Sequence, residues 1–307
     1  MDVGKLLGKQ MRAPRPAALD YILDDLDRKH LGYYICPMGM NSRALKTALE
    51  AARKAGVVAL KGFRGGSASR KAGETSPLRG GFKVEYKSDS SPVTACDRAS
   101  EKIIRQTLAR AFPGDGFIGE EYGETRGTTG ADWIIDPIDG TKNFIRGIPF
   151  WGSLIARAVG GKLVLGVMHL PALGETLWAV RGKGSFHNGK RIRVSRVNRL
   201  SKAFLTHGGL EYFVRDGDAP RLEKLAAASY IARSFGDCGA YAYVARGMTD
   251  AMLERGLKPW DAAAPKIIVE EAGGKFTDWS GRDDWRSPEV LATNGLIHSA
   301  MLKLLKH

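Results

Sequence analysis

Apolar residues recur along the chain with two periods, and each period predicts a different kind of element. Spacings of three and four residues predict a helix over residues 43–61 and a second helix over residues 97–112. The inner side of the second helix is predicted to carry Ile103, Ile104, Thr107, Leu108 and Ala111. Short apolar runs predict strands at residues 82–86, 117–118, 133–135, 153–159, 163–169 and 176–180, with a hairpin turn at Gly160 and Gly161.

The pattern changes after residue 200, where strand-like and helix-like segments alternate. Such alternation is typical of an α/β arrangement. We therefore expect an α/β layered sandwich in which an α+β half (residues 43–200) precedes an α/β half (residues 201–307), with the functional site between them. In the second half, strands are predicted at residues 203–206, 230–234 and 250–253, and helices at residues 219–228, 240–246 and 260–272.

Two segments stand outside this pattern. Residues 1–42 carry an acidic run between Asp20 and Asp27 and lack the basic and apolar regions of a secretory signal. They are predicted to be an N-terminal extension of unknown role. Residues 65–81 are rich in Gly, Ser, Lys and Arg, which predicts a flexible loop.

The net charge is strongly positive and unevenly distributed. The chain of 307 residues has 47 Lys plus Arg against 33 Asp plus Glu, a formal net charge of +14. Residues 43–87 contribute eleven basic and three acidic side chains, but only Phe63, Phe82 and Tyr86 to stack on bases. This stretch is interpreted as a solvated basic surface, so no specific nucleic acid is expected as a partner. A weak attraction for anionic substrates stays open.

Cysteines, histidines and apolar runs narrow the class of protein further. No apolar run approaches the roughly 18 residues that a membrane span requires, so no membrane partner is expected. The six histidines show no zinc-ligand spacing. Cys36, Cys96 and Cys238 form no Cys-x-x-Cys pair and are expected to be reduced thiols of a cytoplasmic protein.

The most informative segment joins an apolar strand to two aspartates. Residues 133–135 run directly into Asp136 and Asp139, and Gly140-Thr141 follows in a position to open a short helix. Carboxylates beside free backbone N–H groups suit a hard cation and a phosphate together, and Mg²⁺ prefers a few carboxylates with water and substrate oxygens. A plain turn, with Asp136 as a cap and Asp139-Gly140 as a tight bend, is the alternative.

Two further acidic segments favour the cation site. Glu120 and Glu121 follow the apolar pair at residues 117–118, where adjacent like charges repel unless a cation compensates them. Asp261 stands at the start of an apolar helix. Each also has a simpler interpretation: a solvated pair for the glutamates and a helix N-cap for Asp261.

Taken in order, these segments resemble the inositol monophosphatase family of metal-dependent phosphatases. The family pattern is Gly-Glu-Glu, then Asp-Pro-x-Asp-Gly-Thr, then Trp-Asp-x-Ala, and residues 87–97 resemble a fourth element. The resemblance covers residues from about 43 to 307. It implies a layered αβαβα sandwich, hydrolysis of a small phosphate ester, and the homodimer that is usual for such proteins.

The resemblance also implies the cofactor, Mg²⁺, in a set of two or three ions. One ion would be held by Glu120, Asp136 and the backbone carbonyl of Ile138. A second would be held by Asp136, Asp139 and Asp261. The complete carboxylate set argues against the alternative class, a catalytically inactive binding protein.

The remaining implied roles concern water and phosphate. Thr141 and Glu120, with help from Asp97, would orient the attacking water. The backbone amides of Gly140 and Thr141 would receive the phosphate at a helix N-terminus. Lys87 matches a basic family position near the metal site, and we expect it to give electrostatic support.

The substrate depends on which subgroup the chain resembles, and Gly236-Asp237-Cys238 resembles the histidinol-phosphate phosphatases. That subgroup usually has Gly-Asp-Cys-Tyr-Gly-Tyr, so the sequence departs at Gly239 and Ala240. Residues 141–151 and 257–263 resemble the same subgroup. L-Histidinol phosphate is therefore the expected substrate. Inositol 1-phosphate is the alternative, and a 3′(2′),5′-bisphosphate nucleotide is a weaker one.

Charge supports this choice of substrate. Histidinol carries an ammonium group, and a buried cation needs an anionic partner beyond the metal ligands. Asp237 and Glu254 are the candidates for that partner. Asp237 has a simpler interpretation as a turn or helix-cap residue, and Glu254 matches an acidic position of the wider family, so it discriminates poorly between substrates.

Overall fold

The computed structural model describes residues 43–65, 84–86 and 92–306. The predicted extension at residues 1–42, most of the predicted loop at residues 65–81, and Lys87 lie outside the described residues. The described helices are α1 (Arg43–Gly65), α2 (Ala95–Ala111), α3 (Thr141–Arg146), α4 (Leu210–Arg215), α5 (Ala219–Ala228), α6 (Asp237–Ala245), α7 (Pro259–Glu271) and α8 (His298–Leu305). None of them is long and apolar enough to cross a membrane.

The strands form two main sheets and one small hairpin. The bounds are β1 (Val84–Tyr86), β2 (Pro92–Thr94), β3 (Gly116–Gly119), β4 (Gly123–Thr125), β5 (Ala131–Asp139), β6 (Gly152–Val159), β7 (Lys162–Leu170), β8 (Glu175–Val180), β9 (Gly184–His187), β10 (Lys190–Ile192), β11 (Phe204–His207), β12 (Ile231–Arg233), β13 (Ala251–Arg255), β14 (Lys275–Thr277) and β15 (Glu289–Thr293). Strands β1 and β2 pair with each other.

The first main sheet has eight strands in the order β10-β9-β8-β7-β6-β5-β3-β4. Its neighbours pair antiparallel except β3 and β5, which run parallel. Gly160 and Gly161 connect β6 to β7, as the sequence predicts. Because β3 and β5 are parallel neighbours, the residues that follow them emerge at the same edge of the sheet.

Alternation along β5 shows what covers each face of this sheet. Trp133 and Ile135 pack against α1 and α2, whereas Ile134 between them packs against α6 and α7. The buried side of α1 is built largely from alanines, and this small-residue surface allows α1 to approach the sheet and α2 closely. The whole first sheet is therefore sandwiched between two helical layers.

The predicted inner side of α2 is only partly correct. Ile104 and Leu108 are fully buried, but Ile103, Thr107 and Ala111 are half-buried and line an outer groove of about 690 Å³ between α1 and α2. The buried side of the first turns of α2 is instead polar and carries Asp97, Ser100 and Glu101. A hydrophobic pattern cannot reveal a buried side that is made of carboxylates and hydroxyls.

The second main sheet has the order β12-β11-β13-β15-β14, with β12, β11 and β13 mutually parallel. One face, which includes Met252 and Ala292, packs against α6 and α7. The opposite face, which includes Leu253 and Leu291, packs against α4, α5 and α8. The layers are therefore helix, sheet, helix, sheet, helix, and the expected αβαβα sandwich is confirmed.

Candidate active site

Three aspartates meet where β5 ends and α7 begins. Asp136, Asp139 and Asp261 each offer a carboxylate oxygen, and these oxygens lie within 4.8 Å of one another. Residues three apart on a regular strand point to opposite faces. Between Asp136 and Asp139, however, β5 gains one residue relative to β6, because they pair with Leu154 and Gly152. This bulge turns both aspartates to the same side.

The side chain of Asp136 stabilises the bulge that follows it. The N–H of Ile138 donates to Asp136 Oδ1 over 3.0 Å, and the carbonyl of Ile138 accepts from the Thr141 hydroxyl over 2.9 Å. Asp136 does cap the chain, as the alternative predicts, but the segment to Asp139 belongs to β5 and pairs with β6 as a bulge. This capping does not exclude the cation site, because Asp136 still faces the other two carboxylates.

Asp261 likewise has two roles at once. The N-cap of α7 is Lys258, whose backbone N–H donates to Asp261 Oδ2 over 2.7 Å. Asp261 therefore caps the helix from its third position while its carboxylate joins the cluster. The helix start fixes the direction in which this carboxylate points.

Glu120 is placed beside the cluster by the strand pairing. It follows β3 directly, and its backbone N–H donates to the carbonyl of Ile135 over 3.2 Å. Its carboxylate is not a member of the described group within 4.8 Å, but its charge raises the pKa values of Asp136 and Asp261. The structure therefore brings together the second predicted ligand set, with Glu120 adjacent.

The cluster is electrostatically unfavourable without a cation. Burial, and then the neighbouring acidic groups, raise the pKa of Asp136 well above its ordinary value. Burial and the charge of Asp261 raise the pKa of Asp139 to about 7, and burial is the largest cause of the rise in the pKa of Asp261, also to about 7. Clustered carboxylates with nearby carbonyl oxygens are the donor set that Mg²⁺ prefers, so the residues fit this ion.

Asp97 and Thr141 are joined across the site. The Thr141 hydroxyl lies 3.3 Å from Asp97 Oδ1, and Asp97 Oδ2 accepts from the backbone N–H and hydroxyl of Thr94. Burial raises the pKa of Asp97 to about 6; the hydrogen bonds from Thr94 lower it, and the charges of Glu121 and Glu120 raise it. The single hydroxyl proton of Thr141 thus has two acceptors within reach, Asp97 Oδ1 and the Ile138 carbonyl.

Asp237 adjoins the aspartate cluster, because the backbone N–H of the next residue, Cys238, donates to Asp139 Oδ2. Asp237 Oδ2 accepts from the side-chain amide of Asn143 over 2.7 Å, and that amide also donates to the carbonyl of Phe150. Asp237 is the first residue of α6, follows the N-cap Gly236, and has a φ of 51°. Burial, and then the charge of Asp139, raise its pKa to about 8. The N-cap of α6 is thus Gly236 rather than Asp237, and the positive φ of Asp237 agrees with the alternative that it is a turn residue.

Glu254 lies deeper and is tied to an aromatic residue. It is 8% exposed, and its Oε2 accepts from the Tyr241 hydroxyl over 2.7 Å. Burial raises its pKa well above the ordinary value, the charge of Asp237 raises it further, and the Tyr241 bond lowers it. The influence of Asp237 shows that the two acidic candidates share one region of the site.

Sequence reasoning missed three contributors to this region. Asn143 holds Asp237, Tyr241 holds Glu254, and Lys142 donates to the Tyr212 hydroxyl over 2.9 Å. Asn143 and Lys142 sit inside the segment that carries the family pattern, which is the signal that points to them. Nothing in the local pattern distinguishes Tyr241 from an ordinary core residue.

Comparison with known proteins is consistent with this geometry. The sequence profile of the inositol monophosphatase family matches residues 40–307. The histidinol-phosphatase of Mycobacterium tuberculosis is 42% identical over 229 residues, which cover 73% of this chain and 88% of that protein. The inositol-1-monophosphatase of Mesorhizobium japonicum is 35% identical, with coverage of 86% of this chain and 97% of that protein.

Solved structures share the fold. The extragenic suppressor protein suhB from Bartonella henselae superposes with a TM-score of 0.78 at 34% identity and covers 86% of this chain and 99% of its own. The IMPase TM1415 of Thermotoga maritima superposes with a TM-score of 0.74 at 32% identity and covers 86% of this chain and 97% of its own.

Proposed function

The chain belongs to the inositol monophosphatase family and is a phosphoric monoester hydrolase, and from this premise we propose that it hydrolyses L-histidinol phosphate to L-histidinol and phosphate, a step of histidine biosynthesis. The observation that carries the choice of substrate is the half-buried Asp237 in Gly236-Asp237-Cys238, beside the aspartate cluster. Identity of about 40% to histidinol-phosphatases supports it.

We assign the cofactor as Mg²⁺, with two or three ions. Asp136, Asp139 and Asp261 would hold one ion, and Glu120, Asp136 and the Ile138 carbonyl another. When bound, Mg²⁺ lowers the pKa of a coordinated water and stabilises the charge on the attacking and leaving oxygens.

The chain's own residues supply orientation. Thr141 and Glu120 orient the attacking water, and Asp97 fixes the Thr141 hydroxyl from the other side. The N–H groups of Gly140 and Thr141 stand where α3 begins, so they bind the phosphate oxygens. Lys87 lies outside the described residues, and its electrostatic support of the metal site stays a prediction.

Asp237 and Glu254 select the organic part of the substrate. The histidinol ammonium group would lower the pKa of Asp237 from about 8, because a nearby cation favours the charged carboxylate. Asp237 then accepts a hydrogen bond from this ammonium group, which would otherwise be an unpaired cation in the site. Asn143 keeps the Asp237 carboxylate turned toward the site. A neutral polyol gains nothing from this charge.

Inositol 1-phosphate is the second candidate substrate. It is favoured by relatives named inositol-1-monophosphatase, which are 35–37% identical to this chain. Glu254 is compatible with either substrate, because the position is acidic in the wider family. Asp237 therefore decides between the two.

Two finer assignments accompany the proposal. A homodimer is proposed only because the resemblance to the family implies it. A cytoplasmic location is supported by the three cysteines without a Cys-x-x-Cys pair, and among the described residues Cys96 and Cys238 are free thiols.

The metal chemistry is tested with Asp139→Asn and Asp261→Asn. Each variant is expected to lose Mg²⁺-dependent phosphate release from histidinol phosphate by at least about 100-fold while it retains its circular dichroism spectrum. Asp284→Asn, at an exposed aspartate away from the cluster, serves as the control and should keep full activity. Turnover in both cluster variants at the rate of the control would refute the assignment.

A further inference from the structure

The turn that carries Glu120 is held by a buried carboxylate on α2. Glu101 is 0% exposed, and its Oε2 accepts from the backbone N–H of Glu121 over 2.7 Å. Its Oε1 accepts from the backbone N–H of Tyr122 over 3.3 Å. The two amides that follow Glu120 are therefore directed at a single side chain.

Arg105 fixes Glu101 from the next turn of the same helix. Its Nε donates to Glu101 Oε1 over 2.7 Å, and its other nitrogens donate to the Gly123 carbonyl and the Thr125 hydroxyl. The guanidinium also lies over the rings of Phe117 and Tyr122, 5.3 and 5.9 Å from their centroids. The negative charge of Glu101 is thereby neutralised locally.

Gly119 explains how this carboxylate comes so close to the strand end. A Cβ atom at Gly119 would lie 2.0 Å from Glu101 Oε1, a distance that no side chain permits. The first residue of the Gly-Glu-Glu segment is thus a glycine because Glu101 occupies the space beside it. The Gly-Glu-Glu segment therefore packs directly against the Glu101 side chain of α2.

The position of Glu101 on α2 relates it to the active site. It lies one helical turn after Asp97, and both face the turn at residues 120–122, whose two glutamate charges raise the pKa of Asp97. On the other side, the Glu120 N–H is bonded to the Ile135 carbonyl of β5. The backbone around Glu120 is thus fixed between α2 and β5.

We propose that Glu101 is a positioning residue for the metal site, which fixes the turn bearing Glu120 through two backbone amides and is itself oriented by Arg105. The proposal rests on the proposed function, because it assumes that Glu120 is a metal ligand. Residues that orient a ligand without touching the ion contribute to affinity for the metal, and their loss typically weakens binding 10- to 100-fold.

Glu101→Gln tests the proposal with little change in shape. The amide nitrogen of glutamine donates where a carboxylate oxygen accepts, so one backbone N–H of the turn loses its partner. The dissociation constant of Mg²⁺, titrated calorimetrically into the metal-free full chain, is expected to rise about 10- to 100-fold. With saturating Mg²⁺, kcat is expected to return to within about threefold of wild type while KM for Mg²⁺ stays raised.

Two further variants distinguish an effect on the metal site from a general loss of stability. Arg105→Gln is expected to raise the dissociation constant of Mg²⁺ as well, but by less than Glu101→Gln. If Glu101→Gln does not fold, the Mg²⁺ affinity of Arg105→Gln tests the proposal in its place. Asp115→Asn is the matched control, since Asp115 is a buried carboxylate paired with Arg157 at the far end of β3. It is expected to lower Tm without changing Mg²⁺ affinity.

The outcomes distinguish a failure of the positioning role of Glu101 from a failure of the proposed function. Wild-type affinity for Mg²⁺ in folded Glu101→Gln and in Arg105→Gln would overturn the positioning role and leave the metal site intact. Equal weakening in Asp115→Asn would overturn it as well, because the effect would then be one of general stability. Absence of Mg²⁺ binding by the wild-type chain would instead refute the proposed function.

Discussion

The ring of Phe150 fills the space that a side chain on Gly239 would occupy. A Cβ atom at Gly239 would lie 2.1 Å from Cζ of Phe150. Gly239 is also the point at which the sequence departs from the Gly-Asp-Cys-Tyr pattern of the histidinol-phosphate subgroup. The Phe150 ring, from the segment that precedes β6, therefore occupies the space beside the residue at which the sequence departs.

This pairing predicts a large energetic coupling between the two positions. Gly239→Ala alone should destabilise the protein by about 1–3 kcal/mol, because the added methyl group displaces the Phe150 ring. In a Phe150→Ala background the same change should be neutral or stabilising by about 0.5–1 kcal/mol, because Gly239 lies inside α6 and alanine favours helix.

Urea unfolding of the wild type, both single variants and the double variant measures this coupling. Additive free energies of unfolding would show that the Phe150 ring does not constrain Gly239.

Asp237→Asn should separate cationic from neutral substrates. Asparagine keeps the shape, tolerates the φ of 51°, and can still accept from Asn143, but it removes the charge. KM for histidinol phosphate should rise about 10- to 100-fold, the equivalent of a charged hydrogen bond, and KM for inositol 1-phosphate should change less than about threefold. Equal changes in steady-state assays of both substrates would remove Asp237 from substrate selection.

Removal of the metal should expose the repulsion within the aspartate cluster. In EDTA, Asp139→Asn should raise Tm by about 2–4 °C for each kcal/mol of repulsion that it relieves. The same variant should lose most of the Tm increase that Mg²⁺ gives the wild type. Asp284→Asn should behave like the wild type in both conditions.

Differential scanning fluorimetry with and without Mg²⁺, with NaCl of equal ionic strength as the salt control, measures both effects. A lower Tm of Asp139→Asn in EDTA, together with an unchanged Mg²⁺ shift, would contradict this account of the cluster.

His298 should make the fold sensitive to acid. It is 2% exposed between the hydroxyls of Thr277 and Thr293, and burial, helped by Lys275 and Lys266, lowers its pKa to about 4. Because the folded pKa lies below the unfolded value of about 6.5, protonation favours the unfolded chain. This part of the stability is complete above pH 6.5 and is lost as the pH falls toward 4, by about 3 kcal/mol in total.

Urea unfolding between pH 4 and 8 checks the prediction by comparing the wild type with His298→Gln. The variant should lack this component of the pH dependence, so the difference in unfolding free energy between the two proteins should change with pH. A constant difference would show that His298 does not titrate in this way.

The sequence predicts the helices, the strands and the candidate metal ligands because the signals for them lie in residues that are close together in the sequence. The period of three and four residues marks α1, and the apolar run that ends in Asp136 marks β5. Capping also leaves a local trace, since Thr94 and Asp97 form a capping box at the start of α2. Each of these features depends on neighbours within a few residues.

Features that depend on distant contacts could not be predicted. The bulge that aligns Asp136 with Asp139 exists only in the pairing of β5 with β6. The partner of Asp237 is Asn143, which is 94 residues away. The sequence does not predict strand β15, because its short apolar segment has no distinguishing period and is ordered by pairing with β13 and β14. Helix α8 is not predicted either, because its eight residues give the helical period only about two turns in which to appear.

The most direct test of the central claim compares substrates in one assay. With Mg²⁺ present, kcat/KM is measured side by side for L-histidinol phosphate, inositol 1-phosphate and a 3′-phosphoadenosine nucleotide. The account predicts that histidinol phosphate exceeds both others by roughly 10- to 100-fold, the selectivity that one buried ammonium–carboxylate pair supplies. An equal or higher value for inositol 1-phosphate would contradict it.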